Sequence, residues 1–232
     1  MYKSGLGVLR DPITGNHLVK VCQNKTIQTN AVAQYVQEGL NNGDAVVIIG
    51  RPELRKAVID LLNSLGLDTQ SLKDQGQLKL FDAEFLLSSL LINDEIDALV
   101  FQKHVAIPIQ ALSSKYGKVR IFGEMIDLLW QQDKHDTVMQ LEDFWNNLFQ
   151  TIDFSLLCTY SLDHIDPDTY DNSLERICRC HTHLIPIEDS DPVGSVLGGA
   201  MFQVFESAWN RVVEKIAEPT KGSTDSTQMP PV

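Results

Sequence analysis

Gly117-Lys118-Val119-Arg120-Ile121-Phe122-Gly123-Glu124-Met125-Ile126-Asp127-Leu128-Leu129-Trp130 is the stretch that decides the fold. Val119 to Phe122 reads as a short buried strand that stops at Gly123, with a helix opening near Glu124. A glycine there lets the backbone turn tightly where a side chain would clash. A carboxylate in the first helical turn also suits the positive end of the helix dipole. Ligands of open α/β sheets gather at the carboxyl ends of strands, so Glu124 stands where a site would be. Two readings of Glu124 are therefore open, a residue that only favours the helix start and a ligand contact.

The same alternation extends outward in both directions. Asp44 to Gly50 is the strongest strand signal, apolar on both faces as a central strand covered on both sides must be. Pro52 opens a helix whose buried face is Leu54, Val58, Leu61, Leu62 and Leu65. Before it come a half-buried strand, His17 to Cys22, and a helix over Thr29 to Leu40 ended by Asn41-Asn42-Gly43. After it come a strand over Gln77 to Phe81 and a helix from Ala83 to about Leu91. Residues 94–116 carry a helical stripe that Pro108 is expected to kink or break. Asp136 to Phe149 reads as a helix, Phe154 to Thr159 as a buried strand, and His183 to Pro186 as a short strand. A further helix is expected through Leu174 to Cys178.

Strands alternating with helices imply a mostly parallel sheet flanked on both faces, a three-layer α/β domain. Met1 to Asn16 reads as an N-terminal arm or loop, and residues 17–217 as one domain. That domain ends in an amphipathic helix over Val196 to Ala217. Residues 218–232 are polar and rich in Pro, Ser and Thr, and are expected to be disordered.

Composition narrows the function. Among 232 residues, 19 basic against 31 acidic side chains leave a net charge of −12, which argues against nucleic acid and anionic membrane as partners. No stretch reaches the ~20 apolar residues needed to span a bilayer, and Met1 to Thr14 lacks the apolar core expected of a signal peptide. A cytoplasmic location is expected. Four cysteines do not form a disulfide framework, and Cys158, within an apolar run, reads as a small buried hydrophobe.

Two motifs invite chemistry. Gly50-Arg51-Pro52-Glu53-Leu54-Arg55-Lys56-Ala57 follows a buried strand as a P-loop would, with the first Gly and the Lys in register. Arg55 stands where the second Gly should open the phosphate nest, Ala57 replaces the magnesium-binding hydroxyl, and Glu53 adds a negative charge. A solvated first helical turn is the favoured reading. Cys178-Arg179-Cys180-His181-Thr182-His183 offers four potential zinc ligands, Cys178, Cys180, His181 and His183. Their spacing is poor, because adjacent Cys180 and His181 cannot easily bind one ion. Histidines hydrogen-bonding at the pocket end of the sheet are the favoured reading, with no metal and no cofactor expected. No Gly-x-Ser-x-Gly elbow or activated cysteine signature is present, and Trp130, Trp145 and Phe149 read as core.

The order of these pieces resembles a known family. They are His17; Glu38-Gly39-Leu40-Asn41-Asn42-Gly43-Asp44-Ala45; Val46-Val47-Ile48-Ile49-Gly50-Arg51-Pro52-Glu53-Leu54-Arg55; and Gly76-Gln77-Leu78-Lys79-Leu80-Phe81-Asp82-Ala83. Then follow Phe122-Gly123-Glu124-Met125, Leu128-Leu129-Trp130, Leu141-Glu142, Trp145-Asn146, Phe154 to Tyr160, and Ile177-Cys178 with His181-Thr182-His183. Over roughly residues 17 to 187 the chain resembles the MEDS domain, a methanogen/methylotroph DcmR-type sensory domain and a degenerate relative of RecA/KaiC-like ATPases. The resemblance implies a RecA-like, P-loop-NTPase-like fold whose nucleotide machinery is lost. It also implies a sensory role in prokaryotic signal transduction, with small hydrocarbon-like ligands.

The preferred reading is a non-enzymatic sensory or regulatory domain acting through a protein partner. Its small-molecule site would use Gly50, Arg51, Lys56, Gly123, Glu124, His181 and His183. A residual nucleotide binder or weak ATPase, with Lys56 on phosphate, is the first rival. A scaffold that forms homo-oligomers is the second.

Overall fold

The computed structural model describes residues 5–161, 170–185 and 206–213. The chain runs α1 (Gly5–Arg10), β1 (His17–Cys22), α2 (Lys25–Asn41), β2 (Ala45–Gly50), α3 (Pro52–Ser64), α4 (Thr69–Asp74), β3 (Leu78–Asp82) and α5 (Ala83–Leu90). It continues through β4 (Leu91–Ile92), β5 (Glu95–Ile96), α6 (Ala98–Phe101), a π-helical turn (Gln102–Ala106), α7 (Ile107–Tyr116), β6 (Val119–Gly123) and α8 (Met125–Trp130). Then come α9 (His135–Leu148), β7 (Phe154–Ser161), α10 (Tyr170–Cys180) and β8 (His183–Ile185).

Six of these strands form one sheet in the order β3-β2-β6-β7-β1-β8, with every pair parallel. Because side chains alternate across a strand, the apolar runs of β1, β2, β6 and β7 feed two cores. Val19, Val47, Ile49, Ile121 and Leu156 face a core completed by α5 to α10. Leu18, Val46, Ile48, Phe122 and Leu157 face a second core completed by α1, α2 and α3. This is the three-layer α/β architecture expected from the sequence. Arg120 is one of several charged side chains buried inside it, with its guanidinium satisfied by Asp44 (2.7 Å) and the carbonyl of Arg10 (2.9 Å).

The structure departs from the sequence reading where short-range signals compete with packing. The arm expected over residues 1–16 contains α1, and Val8 and Leu9 of that helix are buried in the second core. Pro108 does not break the helical run. The chain widens into a π-turn just before it, which accommodates a residue that lacks an N–H and crowds the preceding turn. Two elements escaped the reading, α4 and the β4–β5 hairpin, whose Asn93-Asp94 turn has positive φ at both residues (53° and 64°). Residues 206–213 are helical, with Ala208 and Val212 in the first core and Trp209 packed against it. The rest of the expected helix over Val196–Ala217, and the expected tail 218–232, lie outside the described residues. No helix among the described residues is long and apolar enough to cross a membrane.

Candidate functional site

The chain leaves β2 toward β3 and leaves β6 toward β7, in opposite directions along the sheet. Such a reversal opens a crevice between the carboxyl ends of the two strands. Arg51 follows β2 directly and Glu124 follows β6 directly, so the sequence delivers a cation and an anion to the same place. The N–H of Glu124 still donates to the carbonyl of Ile49 (2.9 Å), which fixes the two turns side by side.

Glu124 is buried, and its carboxylate turns away from the helix that it precedes. It makes no capping hydrogen bond to α8. Its Oε2 accepts from the backbone N–H of Arg51 (2.6 Å), and its Oε1 accepts from Arg51 Nε (2.9 Å) and Nη2 (2.6 Å). This two-pronged guanidinium–carboxylate pair is the strong form of a charged hydrogen bond. A Cβ at Gly50 would meet Glu124 Oε2 at 3.4 Å, in van der Waals contact, so the carboxylate lies directly over the strand end. Behind the pair, buried Asp127 lies 3.7 Å from Arg51 Nη2. Asp127 accepts from the N–H of Ser161 (2.8 Å), from the Ser161 hydroxyl (3.2 Å) and from Gln131 (2.7 Å). Burial raises the Asp127 pKa, against the pull of the Ser161 bonds and Arg51. Burial disfavours the Arg51 charge, but the hydrogen bonds and charge of Glu124 outweigh it and raise the Arg51 pKa.

Above this pair lies a cavity of about 240 Å³, walled by Lys25 and Gln28 of α2, Glu53 and Leu54 of α3, Arg51 and Glu124. Its rim is charged with both signs. Gln28 is held by Thr159 of β7 (2.9 Å), which ties the α2 wall of the cavity to a third strand.

The other residues expected at this edge are placed differently. Helix α3 begins at Pro52, one residue past the strand, so residues 52–57 are helical and no nest of backbone N–H groups forms between Gly50 and Lys56. Lys56 is exposed and pairs with Asp60 (2.6 Å) on its own helix, away from the crevice. Arg55 reaches sideways to Asp82 at the end of β3 (2.7 Å). Gly123 ends β6 as expected, but its φ is not positive. A Cβ there would meet Leu156 at an ordinary 3.7 Å, so this turn does not demand glycine.

The family model of the methanogen/methylotroph DcmR sensory domain, MEDS, matches residues 16–182. The chain belongs to the MEDS family. No curated protein sequence matches it. Among solved structures it is similar to a KaiC-like protein from Pyrococcus horikoshii OT3, at 13% identity and a TM-score of 0.44, covering 64% of this chain and 62% of the other. The chain thus spans under two thirds of that protein's length. It is also similar to the flagellar accessory protein FlaH from Methanocaldococcus jannaschii, at 14% identity and a TM-score of 0.49, covering 79% of this chain and 76% of the other.

In this MEDS domain the C-terminal histidines do not join Arg51 and Glu124. His181, buried at the end of α10, lies 4.0 Å from His17 between ring centres, in a group with Glu142 and Cys158. His183 is partly exposed, its Nδ1 lies 2.9 Å from the Thr182 hydroxyl, and burial lowers its pKa. Of the four weighed zinc ligands only His181 enters that group. Cys178 packs in the first core, and His183 lies on β8, so the local run does not converge. His17, Glu142 and Asp127 were not singled out as site residues. The signal for Glu142 was present, because it interrupts the apolar face of α9 formed by Val138, Leu141 and Trp145.

Proposed function

We propose that this MEDS chain is a non-enzymatic sensory domain that binds a small molecule in the crevice between β2 and β6 and signals its presence to a protein partner. The observation that carries the reading is the Arg51–Glu124 pair under a cavity of about 240 Å³. That volume falls below the ≈ 300–1,000 Å³ of pockets for drug-sized ligands, so it fits a molecule of a few heavy atoms. The family's description as a methanogen/methylotroph sensory domain favours one-carbon and other short-chain compounds.

The signal has a local route. A ligand that draws the Arg51 guanidinium toward itself loosens Glu124, which stands immediately before α8, and Asp127 within α8. Binding then shifts the balance between two positions of α8 in proportion to its differential affinity for them. The direct strand-to-helix turn at Arg51 and the outward-facing Lys56 weigh against nucleotide chemistry here.

Amide NMR of the full chain, titrated separately with methanol, methylamine, formate and Mg·ATP, tests this. The expected result is saturable shifts at residues 25–29 and 50–54 with one of the small compounds, lost in Arg51→Ala. Saturable Mg·ATP binding at those amides, or no saturable response to any of the small compounds, contradicts it.

A further inference from the structure

A second polar centre lies between β1, β7, α9 and the end of α10, closed to solvent. His17, Glu142, Cys158 and His181 are all buried, and one ligand-type atom from each lies within 4.8 Å of the other three. Glu142 Oε2 is 3.2 Å from His17 Nε2, Cys158 Sγ is 3.5 Å from the same nitrogen, and His181 Nε2 is 3.5 Å from Glu142 Oε1. A tetrahedral ion with bonds of about 2.0–2.3 Å needs its ligand atoms roughly 3.3–3.7 Å apart. The contacts of His17 Nε2 with Glu142 Oε2 and with Cys158 Sγ already have about that spacing, and the group as a whole spans no more than 4.8 Å.

The outer hydrogen bonds orient both rings. His181 Nδ1 donates to the carbonyl of Ile177 (2.8 Å), and since a carbonyl only accepts, the lone pair is on Nε2. His17 Nδ1 donates to Asn146 Oδ1 (3.1 Å), which likewise leaves the Nε2 lone pair facing inward. This is how metal-binding histidines are held. Two inward atoms, Glu142 Oε2 and His181 Nε2, are buried with no hydrogen bond at all. Glu142 Oε1 is taken by the Tyr160 hydroxyl (3.1 Å), so Oε2 is the free oxygen.

We propose that His17 Nε2, Glu142 Oε2, Cys158 Sγ and His181 Nε2 bind a zinc ion. One thiolate and two imidazoles suit zinc and do not suit calcium or magnesium, which take oxygen ligands. Four protein ligands in a closed core make a structural site that fastens β1, β7, α9 and the segment after α10 to one point. The charges also balance. One divalent ion with a carboxylate, a thiolate and two neutral imidazoles has no net charge, which is what a buried site requires. Burial independently lowers the His17 pKa to about 4 and keeps both rings in their neutral, ligand-ready form. Burial also raises Glu142 to about 8 and Cys158 further, so the metal-free core holds a proton on each. Zinc displaces those two protons, leaving Zn²⁺ bound and 2 H⁺ released.

The test strips the full chain with a chelator and titrates it with Zn²⁺ and then, separately, Co²⁺. The expected result is one equivalent per folded chain. The cobalt form should show tetrahedral d–d absorption and a thiolate-to-cobalt charge-transfer band. Cys158→Ser should abolish that band, while the double variant Cys178→Ser/Cys180→Ser keeps it. Asn146→Ala, which only releases the orientation of His17, should weaken zinc binding about 10–100-fold. X-ray absorption of the zinc-loaded unmutated chain needs no variant to fold, and should give one sulfur and three nitrogen or oxygen neighbours. The proposal is overturned if the folded chain takes up neither metal. It is equally overturned if two sulfurs surround the zinc, or if the band survives Cys158→Ser and disappears with Cys178 and Cys180.

Discussion

Glu124 and Glu142 are both buried carboxylates, yet they sit in opposite situations. Glu124 lies at the carboxyl edge and receives three hydrogen bonds from Arg51. Glu142 lies deep between the sheet and α9, receives one from Tyr160, and leaves its second oxygen facing two imidazoles and a thiol. Burial therefore does not assign a role. The partners do: the first carboxylate is a fixed counter-ion that holds an arginine at the mouth of a cavity, and the second is grouped with the donor set of the proposed zinc site.

The comparison breaks first at Arg51. Arg51→Ala should lose about 3 kcal/mol in denaturant unfolding, near the lower end of the cost of stranding one member of a buried pair, because the guanidinium is 24% exposed. Adding Glu124→Gln should recover about half of that loss, since the stranded group is then uncharged. A double variant as unstable as the single would show that Arg51 acts through packing alone. At the other end of the scale stands Lys56→Ala. With its side chain 79% exposed and paired with Asp60 on the same helix, its removal should change stability by less than about 0.5 kcal/mol and leave ligand binding intact.

Much of this architecture was legible in the sequence. The apolar runs at Ala45–Gly50 and Val119–Gly123 have one stable environment, the middle of a parallel sheet. Arg51 and Glu124 could be placed because each follows such a run directly. Lys56 was misplaced because register with a phosphate-binding motif says nothing about whether the loop exists, and Pro52 starts a helix too early for one. The clustered Cys178 to His183 drew attention through proximity along the chain. His17, Glu142 and Cys158 come from three distant elements, and only the strand pairing of β1 with β7 and the packing of α9 bring them together. Glu142 on an apolar stripe was the readable sign. Its partners had to come from the fold.

The most direct test of the sensory reading is native mass spectrometry of the full chain, beside Arg51→Ala, alone and with Mg·ATP. The account predicts a small organic adduct, beyond the mass of any zinc, that the variant lacks, and no uptake of ATP by either chain. Stoichiometric Mg·ATP uptake by the unmutated chain would contradict it.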